Sequence, residues 1–435
     1  MKPRILILMH YMELGGAESA LLGLLQSVDS ERVDVDVFIY SHRGELMKFL
    51  PIDKINLLPE IEAYSLTEKP LSEVVKKGYW RLAMARMIGR RNTATFCKRH
   101  QGSDKPAECG TFFQQRATWK VLPDIQPDIE YDLAISFLTP HFFVLNNVRA
   151  KKKIGWIHTD YTRILIDVEA ELKMWERLDY IASISDEVGN RFCEVFPSLR
   201  PKLILIENIL NADFIRKRAK ESTVSLCDDP STVCLLTIGR FSPPKKMEDI
   251  PSICKKILDQ GLHVKWFIIG YGSKDIENVV RENAEKEGVE DYVVILGKQD
   301  NPYPYIKACD IYVQPSRYEG KSITVREAQI LCKPVIITNY PTAKSQIVDG
   351  VDGVIVPMDV DMCAQEMADF IRDKEKQERI AVYLKEHDYG NEDEIEKIYQ
   401  LCECMHTQAL PKYFPRGSQV QSCCLDLGIA CVWLG

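Results

Sequence analysis

The sequence lacks the features of a secreted, membrane-spanning or zinc-binding chain. Its opening apolar run, Ile5–Met9, is far too short for the core of a signal peptide or for a membrane span. Fourteen cysteines are scattered over the 435 residues, and no two of them form a Cys-x2-Cys pair. We therefore expect a cytoplasmic protein with reduced cysteines that mostly fill its cores, such as Cys234, Cys254 and Cys309.

The chain also has no excess of positive charge. The chain has 63 acidic residues against 56 lysines and arginines, which gives a net charge of −7. Nucleic-acid binding usually requires a basic surface, so we expect no nucleic-acid partner. The Gly-x-Gly-x-x-Gly fingerprint of dinucleotide-binding proteins is also missing, because Gly15 and Gly16 stand side by side. The composition therefore argues against a nucleic-acid-binding protein and against a nicotinamide-dependent enzyme.

Short apolar runs alternate with helical patterns along nearly the whole chain, which predicts an α/β protein with parallel sheets and crossover helices. The chain is too long for one core, so we expect two domains. The charged and polar composition of residues 216–231 places their junction at or just before this segment. The predicted strands are Arg4–Met9, Val33–Tyr40, Asp132–Phe137, Lys153–His158, Tyr180–Ser185, Leu203–Glu207, Val233–Gly239, Val264–Gly270, Tyr292–Leu296, Ile311–Gln314, Pro334–Thr338 and Val354–Pro357.

Two carboxylates eight residues apart, Glu319 and Glu327, bracket a polar loop between the strand that ends at Gln314 and a predicted helix, Val325–Leu331. Such junctions leave backbone N–H groups pointing at whatever occupies the crevice. The pattern suits a nucleotide sugar. Glu319 would contact the transferred sugar, the amides around Ile323 and Thr324 the diphosphate, and Glu327 the ribose. The alternative is an ordinary charged helix face.

These residues resemble the Glu-x7-Glu motif of the retaining glycosyltransferases of the GT-B fold, family 4 type, also called glycosyl transferases group 1. The resemblance covers roughly residues 3 to 405. Gln346 departs from the family pattern, because it stands where a glutamate is common. Further elements fall in family order, namely Leu14–Glu18, Ile206–Asn208, Thr237–Phe241 followed by Lys245, and Ile269–Gly272.

The resemblance implies two Rossmann-like domains whose parallel sheets face a central cleft. Residues 1–211 would form the acceptor domain and residues 212–384 the nucleotide-sugar domain. A helix within residues 385–405 would pack back on the first domain, and we assign no role to the tail, residues 406–435.

The activity implied is that of a retaining hexosyltransferase that works without metal or other cofactor. It would use a nucleotide-diphosphate sugar, UDP-linked in our prediction, and build a polysaccharide or a lipid-linked glycan. The alternatives are an epimerase or small-acceptor synthase of the same fold, and a non-catalytic scaffold that binds nucleotide sugars. Front-face attack, with Glu319 orienting sugar hydroxyls, and double displacement by a carboxylate both stay open.

Arg240 and Lys245 follow a strand in a loop that contains two prolines. Two cations at this place can hold a diphosphate and neutralise the charge that grows as it leaves. The alternative is a pair of exposed surface bases, and the neighbouring Lys246 could take the role of Lys245. His158 ends a strand and so points toward the cleft, where family members carry a histidine near the sugar or acceptor; the alternative is a purely structural histidine.

Glycines at the strand ends would let backbone N–H groups approach a phosphate or sugar closely, and the alternative for Gly15 and Gly16 is a tight turn and nothing more. The predicted catalytic residues are Arg240, Lys245, Glu319 and His158. The predicted donor-binding residues are Gly15, Gly16, Gly239, Gly270, Gly272, Lys298, Ser322, Ile323, Thr324 and Glu327.

Two Asp-x-Asp pairs imitate the metal-binding motif of other glycosyltransferases, and we predict that neither binds a metal. Asp34 and Asp36 alternate with valines, which is typical of the exposed face of a half-buried strand. Asp359 and Asp361 follow Pro357 in a predicted loop, far from the other motifs.

Residues 76–100 carry eight basic residues and no acidic one. Trp80, Met84, Met87 and Ile88 recur there at helical spacing. A basic helix with one apolar stripe can lie on an anionic bilayer, where each cation adds about 1 kcal/mol. It would hold the acceptor domain on the inner face of the cell membrane. The alternative is a surface helix whose apolar stripe packs on the first domain.

Overall fold

The computed structural model describes residues 2–403 and places them in two α/β units. The tail at residues 406–435 lies outside the described residues. Within the described range the first sheet has seven strands and the second has six, and the paired strands are parallel. The predicted α/β architecture, with two Rossmann-like parallel sheets, is confirmed.

The strands of the first sheet, β1 to β7, are Arg4–Met9, Asp34–Ile39, Asn56–Leu57, Tyr131–Ser136, Ala150–Ile157, Tyr180–Ser183 and Leu203–Leu205. They lie in the order β3-β2-β1-β4-β5-β6-β7. The strands of the second sheet, β8 to β13, are Val233–Ile238, Val264–Ile269, Val293–Gly297, Ile311–Gln314, Val335–Thr338 and Val354–Val356. They lie in the order β10-β9-β8-β11-β12-β13.

Helices connect the strands and bury both faces of the central ones, as parallel sheets require. Helices α1 to α9 are Gly16–Gln26, Glu62–Ser65, Leu71–Lys76, Trp80–Arg99, Gly110–Thr118, Phe142–Asn147, Val168–Trp175, Asp186–Val195 and Ala212–Arg218. Helices α10 to α17 are Ile250–Leu258, Lys274–Glu287, Tyr303–Ala308, Ile323–Ile330, Ala343–Gln346, Val360–Arg372, Lys374–Glu386 and Ile395–Glu403.

Each sheet has its own hydrophobic core, and the chain passes between the cores twice. The first core runs to Ile209, and the second begins at Leu210 and ends at Tyr389. Helix α17 then returns, and its apolar side chains are buried in the first core. Its Tyr399 hydroxyl accepts a hydrogen bond from the Asp29 backbone N–H at 2.8 Å.

The prediction that Asp36 lies on the exposed face of its strand is wrong. The side chain is buried, and its carboxylate accepts hydrogen bonds from Arg4 at 3.1 Å, Tyr131 at 2.6 Å and Asn56 at 2.8 Å. These donors come from β1, β4 and β3 of the same sheet. The alternation of aspartate with valine therefore marks a hydrogen-bonded polar group in a sheet that is covered on both faces.

The prediction that Cys234 is a reduced core thiol is also wrong, because its sulfur is bonded to that of Cys227. Cys254 and Cys309 are unpaired and buried, as predicted. The polar segment that joins the units leads directly into β8 and brings Cys227 beside the start of that strand.

Candidate active site

The two units enclose a cavity of about 320 Å³ between them. Every residue predicted for the catalytic and donor sites lines it, with the exception of Gly272. The first unit supplies Gly15, Gly16 and His158, and the second unit supplies the others. Gly272 packs against backbone instead, since a Cβ there would lie 2.7 Å from the Phe241 carbonyl oxygen. The fold therefore brings together residues as far apart in sequence as Gly15 and Glu327.

Glu319 is buried in the loop between β11 and α13, and three donors hold its carboxylate. Lys245 Nζ and Ser316 Oγ each donate at 2.6 Å, and Gln314 Nε2 donates at 3.1 Å. All three contact the same oxygen, Oε1. The end of β11 and the loop after β8 thus fix the carboxylate together.

Glu327, in α13, is also buried but has a different environment. Tyr303 Oη donates to its Oε1 at 3.0 Å. Burial raises the pKa of Glu327 to about 7, while the Tyr303 hydrogen bond and the nearby Arg218 act in the opposite direction. The carboxyl group therefore changes its charge near neutral pH.

The amino end of α13 lies between these two carboxylates and lines the cavity through Ser322, Ile323 and Thr324. No side chain caps this helix end. The Ser322 N–H donates to Gln346 Oε1 at 3.1 Å, and Gln346 Nε2 donates back to the Ser322 carbonyl. Gln346 thereby fixes the loop, while the first backbone N–H groups of the helix lack a side-chain acceptor and suit an anion.

Arg240 follows β8 and is exposed at the cavity, close to Glu18 of α1. A Cβ on Gly15 would lie 2.2 Å from Glu18 Oε2 and 3.0 Å from Arg240 Nη2, so the ends of both side chains pack against this glycine. Burial raises the pKa of Glu18, and a hydrogen bond from its own backbone and the charge of Arg240 oppose this rise. Glu18 belongs to the Leu14–Glu18 motif, but the sequence did not predict it as a site residue.

Two other lysines considered from the sequence have partners. Lys246 lies outside the cavity lining, because its Nζ contacts the Met358 carbonyl and pairs with Asp249 at 2.7 Å. It does not lie where it could replace its neighbour Lys245. Lys298 lines the cavity and pairs with Glu45 of the first unit, so it joins the two units at the edge of the site.

His158 lies at the end of β5, where its ring stacks on Trp156 and contacts Phe137 at 4.9 Å between centroids. Burial lowers the pKa of His158 to about 4, although a hydrogen bond with the Phe137 backbone acts in the opposite direction. The ring is therefore neutral at neutral pH. Its Nε2 is buried and has no hydrogen-bond partner within the described residues, which leaves it for a ligand.

A second cavity, which the sequence did not indicate, has a volume of about 510 Å³ and lies in the first unit beside α4 and α5. His10 and Glu68 contribute to its polar lining and contact each other at 3.5 Å. Three buried polar atoms of lining residues have no hydrogen-bond partner within residues 2–403: Arg86 Nε, Gln114 Oε1 and Gln115 Oε1. Buried polar groups are normally satisfied, so this lining favours a ligand with hydroxyl or anionic groups.

The two cavities are close to each other at Glu18. Two residues lower the pKa of the Glu18 carboxyl group through their charge. They are Arg240, which lines the first cavity, and His10, which lines the second. His10 directly follows β1 and Gly15 directly precedes α1, so both cavities reach the loop that joins this strand to this helix.

The Asp-x-Asp residues have structural partners. Asp359 accepts hydrogen bonds from the Asp361 and Met362 backbone N–H groups at the start of α15, and Asp361 pairs with Lys256 at 2.5 Å. In the part of the chain that the structure describes, no group of three His, Cys, Asp or Glu side chains is placed to hold a metal ion.

Comparison with protein families identifies a Glycosyl transferases group 1 domain at residues 228–387. A curated relative, an uncharacterized glycosyltransferase of Methanocaldococcus jannaschii, is 23% identical over 249 residues, which make up 52% of this chain and 59% of the relative. The chain spans about three fifths or less of the length of the curated relatives that it matches.

Solved structures share the fold over nearly the whole chain. Anabaena HepE in complex with UDP-glucose has a TM-score of 0.60 and 15% identity, with 93% of this chain and 99% of that chain covered. S. aureus TarM, in complex with fondaparinux, α-GlcNAc-glycerol and UDP, has a TM-score of 0.64 and 12% identity, with 92% and 100% covered. The chain therefore has the GT-B fold, and its second half contains the group 1 glycosyltransferase domain.

Proposed function

We propose that this chain is a glycosyltransferase that moves a hexose from a nucleotide-diphosphate sugar to a glycan acceptor. The observation that carries the proposal is the cavity between the units, where two cations and two buried carboxylates surround the amino end of α13. Arg240 and Lys245 supply the cations, and Glu319 and Glu327 supply the carboxylates. The group 1 domain, which contains all four residues, supports it.

In this proposal the donor lies along α13. Its diphosphate contacts Arg240, Lys245 and the free N–H groups at the start of the helix. Glu327 accepts hydrogen bonds from the ribose hydroxyls, and Glu319 accepts them from the transferred sugar. We propose UDP as the nucleotide because HepE and TarM, which share the fold, were both solved with UDP or UDP-glucose.

We further propose that transfer retains the anomeric configuration through front-face attack. The bond from the anomeric carbon to the β-phosphate oxygen breaks, and a bond to the acceptor oxygen forms. The acceptor proton moves to the departing diphosphate, whose growing charge Arg240 and Lys245 neutralise without a metal. Glu319 orients sugar hydroxyls here, since three donors already occupy its Oε1 and reduce its strength as a nucleophile.

We place the acceptor in the second cavity, which adjoins the first at Glu18. A polysaccharide or lipid-linked glycan would satisfy the unpartnered Gln114 and Gln115 oxygens through its hydroxyl groups. The neutral His158 ring, with its free Nε2, would hold a hydroxyl of either substrate where the two meet.

The test is to incubate the protein with a panel of nucleotide sugars and to follow nucleotide diphosphate release, with and without glycan acceptors and with and without a chelator. The proposal predicts slow hydrolysis of one donor, faster release with the right acceptor, and no effect of the chelator. Conversion of a free nucleotide sugar to its epimer without any acceptor would instead identify an epimerase. Binding without turnover of any donor would identify a scaffold.

A further inference from the structure

The outward face of α4 carries an apolar ridge that nothing in the described chain covers. Its members are Trp80, Met84, Met87 and Ile88, which are 62%, 60%, 52% and 55% exposed. They stand three or four positions apart, so they share one side of the helix. Isolated exposed apolar residues are ordinary, but four large ones on one helix face form a continuous patch.

In the described part of the chain the ridge does not pack on the rest of the first unit, so that alternative is wrong. The opposite side of α4 makes this packing contact. Leu82 and Ala85 are buried there, and a Cβ on Gly89 would lie 3.0 Å from the Gln114 Cα of α5. Arg86, counted among the surface cations from the sequence, is buried as well. Its Nη1 donates to the backbone carbonyls of the α2–α3 connection, so it is a structural residue.

The cations that remain on the outside surround the ridge. Arg81, Arg91, Lys98 and Arg99 are exposed. Arg91 and Lys98 follow Met84 at intervals of seven, which places them on the same face as the ridge. Because residues 76–100 contain no acidic side chain, none from this segment offsets these charges. The outward face of α4 is therefore both apolar and positively charged.

We propose that the α4 ridge and its flanking cations dock the first unit on the surface of an anionic lipid bilayer. The chemistry fits, since the apolar side chains would enter the acyl boundary while the cations contact anionic headgroups. A second copy of this chain fits less well, because two such faces in a symmetric dimer would bring like charges together. In the described range no helix is long and apolar enough to cross a membrane, so contact would be along the surface.

Docking in this way would orient the proposed acceptor site, a consequence that rests on the proposed function. The same helix contributes Arg86, Arg90 and Thr93 to the lining of the second cavity. A bilayer against the outward face of α4 would lie one helix diameter from that cavity, about 10 Å. The acceptor class best served is therefore a lipid-linked glycan whose head group extends from the bilayer.

The experiment is sedimentation of the full chain with phosphatidylcholine vesicles and with vesicles that also contain phosphatidylserine. Two variants test the two parts of the surface: Met84→Ser/Met87→Ser for the ridge, and Arg81→Glu/Arg91→Glu/Lys98→Glu for the charge. Matched controls come from the second unit, where Met362→Ser replaces a methionine that is 55% exposed and Lys286→Glu reverses an exposed cation. Melting temperatures confirm that each variant is folded.

Wild-type protein should sediment with the anionic vesicles at low salt and be released as salt rises. The charge variant should bind these vesicles at least on the order of 100-fold more weakly, because three cations are lost. The ridge variant should bind more weakly too, and both controls should bind like wild type. Donor-dependent stabilisation, measured without lipid, should be the same in all five proteins, which separates this inference from the proposed function.

Absence of binding to anionic vesicles at low salt would overturn the inference. So would equal binding by wild type and both test variants. Light scattering without lipid gives the third outcome. If the wild type is a dimer and the ridge variant is a monomer, the ridge serves self-association instead.

Discussion

At the scale of single residues, the two carboxylates of the cavity have different chemistry because their surroundings differ. Glu319 receives three hydrogen bonds on one oxygen, one of them from Lys245. Glu327 has one hydroxyl donor and is otherwise enclosed, which raises its pKa to about 7. Glu319 is therefore held in one position by its donors, whereas the charge of Glu327 depends on pH near neutrality.

Neutralising either cation should lower turnover more than it weakens donor binding. Arg240→Ala or Lys245→Ala should reduce kcat roughly 10- to 1,000-fold, because each cation stabilises charge that grows in the transition state. Glu327→Ala should act mainly on KM, since ribose contacts change little as the bond breaks. Lys246→Ala is the matched control and should keep the turnover of the folded enzyme. A change in KM alone, equal in Arg240→Ala, Lys245→Ala and Glu327→Ala, would contradict this division.

Burial of Glu327 predicts a pH-dependent effect on stability. Its pKa of about 7 in the folded chain lies above its ordinary value of 4.5. The neutral form is therefore favoured by folding, and the stability that this provides is present below about pH 4.5 and lost as the pH rises through about 7. Glu327→Gln should melt a few degrees above wild type at pH 8, and the difference should vanish near pH 4.5. Melting curves of both proteins from pH 4.5 to pH 8 measure this. A difference in melting temperature that stays the same over this range would contradict the raised pKa of Glu327.

At the scale of strands and loops, the approach of β8 to β9 at their carboxyl ends limits one position to glycine. A Cβ on Gly270 would lie 1.8 Å from the Gly239 carbonyl oxygen, and neither backbone can move without breaking the ladder. Gly270→Ala should therefore cost about 1–3 kcal/mol and alter the cavity wall. Gly110→Ala, whose added Cβ would meet nothing within 4 Å, is the control and should be near neutral. Denaturant unfolding of both variants measures the difference.

Strand positions were predictable because buried parallel strands are continuous apolar runs with clear ends. The prediction omitted β3, since Asn56 and Leu57 are too few to show a period. It also placed Asp36 on an exposed face. The alternation of polar and apolar residues does not reveal whether a polar side chain contacts water or a hydrogen-bonding neighbour. The helix after Glu319 was predicted two residues late, beginning at Val325 where the structure begins it at Ile323.

The candidate site was partly predictable for the same kind of reason. Residues such as Arg240 and Glu319 stand at strand ends, and the carboxyl ends of parallel strands meet at one edge. The second cavity could not be predicted, because α4 and α5 create it by packing against each other across a long connection. Gln114 and Gln115, whose Oε1 atoms have no partner within residues 2–403, look like ordinary polar helix residues in the sequence.

At the scale of the whole molecule, polar contacts hold the two units together at the edges of the cavity. Lys298 pairs with Glu45, Lys48 pairs with Asp300 at 3.3 Å, and Tyr271 donates to the Leu14 carbonyl. Partly exposed pairs of this kind are worth about 0–1 kcal/mol each. These edge contacts are therefore weak, which suits an enzyme that must admit a donor and release a nucleotide.

Salt should open the unliganded molecule, because it screens these pairs. Small-angle X-ray scattering of the free protein should show a larger radius of gyration at high salt than at low salt. A saturating nucleotide sugar should restore the smaller value, since in the proposed binding mode it contacts Arg240 of the second unit and Gly15 of the first. Glu45→Gln/Lys48→Ala should reproduce the effect of salt. A radius that is the same in all conditions would show that the units do not separate.

Donor binding in the cavity between the units is the central claim, and thermal melting with nucleotide sugars tests it most directly. A nucleotide sugar at about a hundred times its dissociation constant should add about 2.7 kcal/mol of stability to the wild-type protein. The Glu327→Ala variant, which removes the proposed ribose contact, should show a clearly smaller rise in stability at the same ligand concentration. Failure of every UDP-linked and other nucleotide sugar to raise the melting temperature, or an equal rise in the variant, would contradict it.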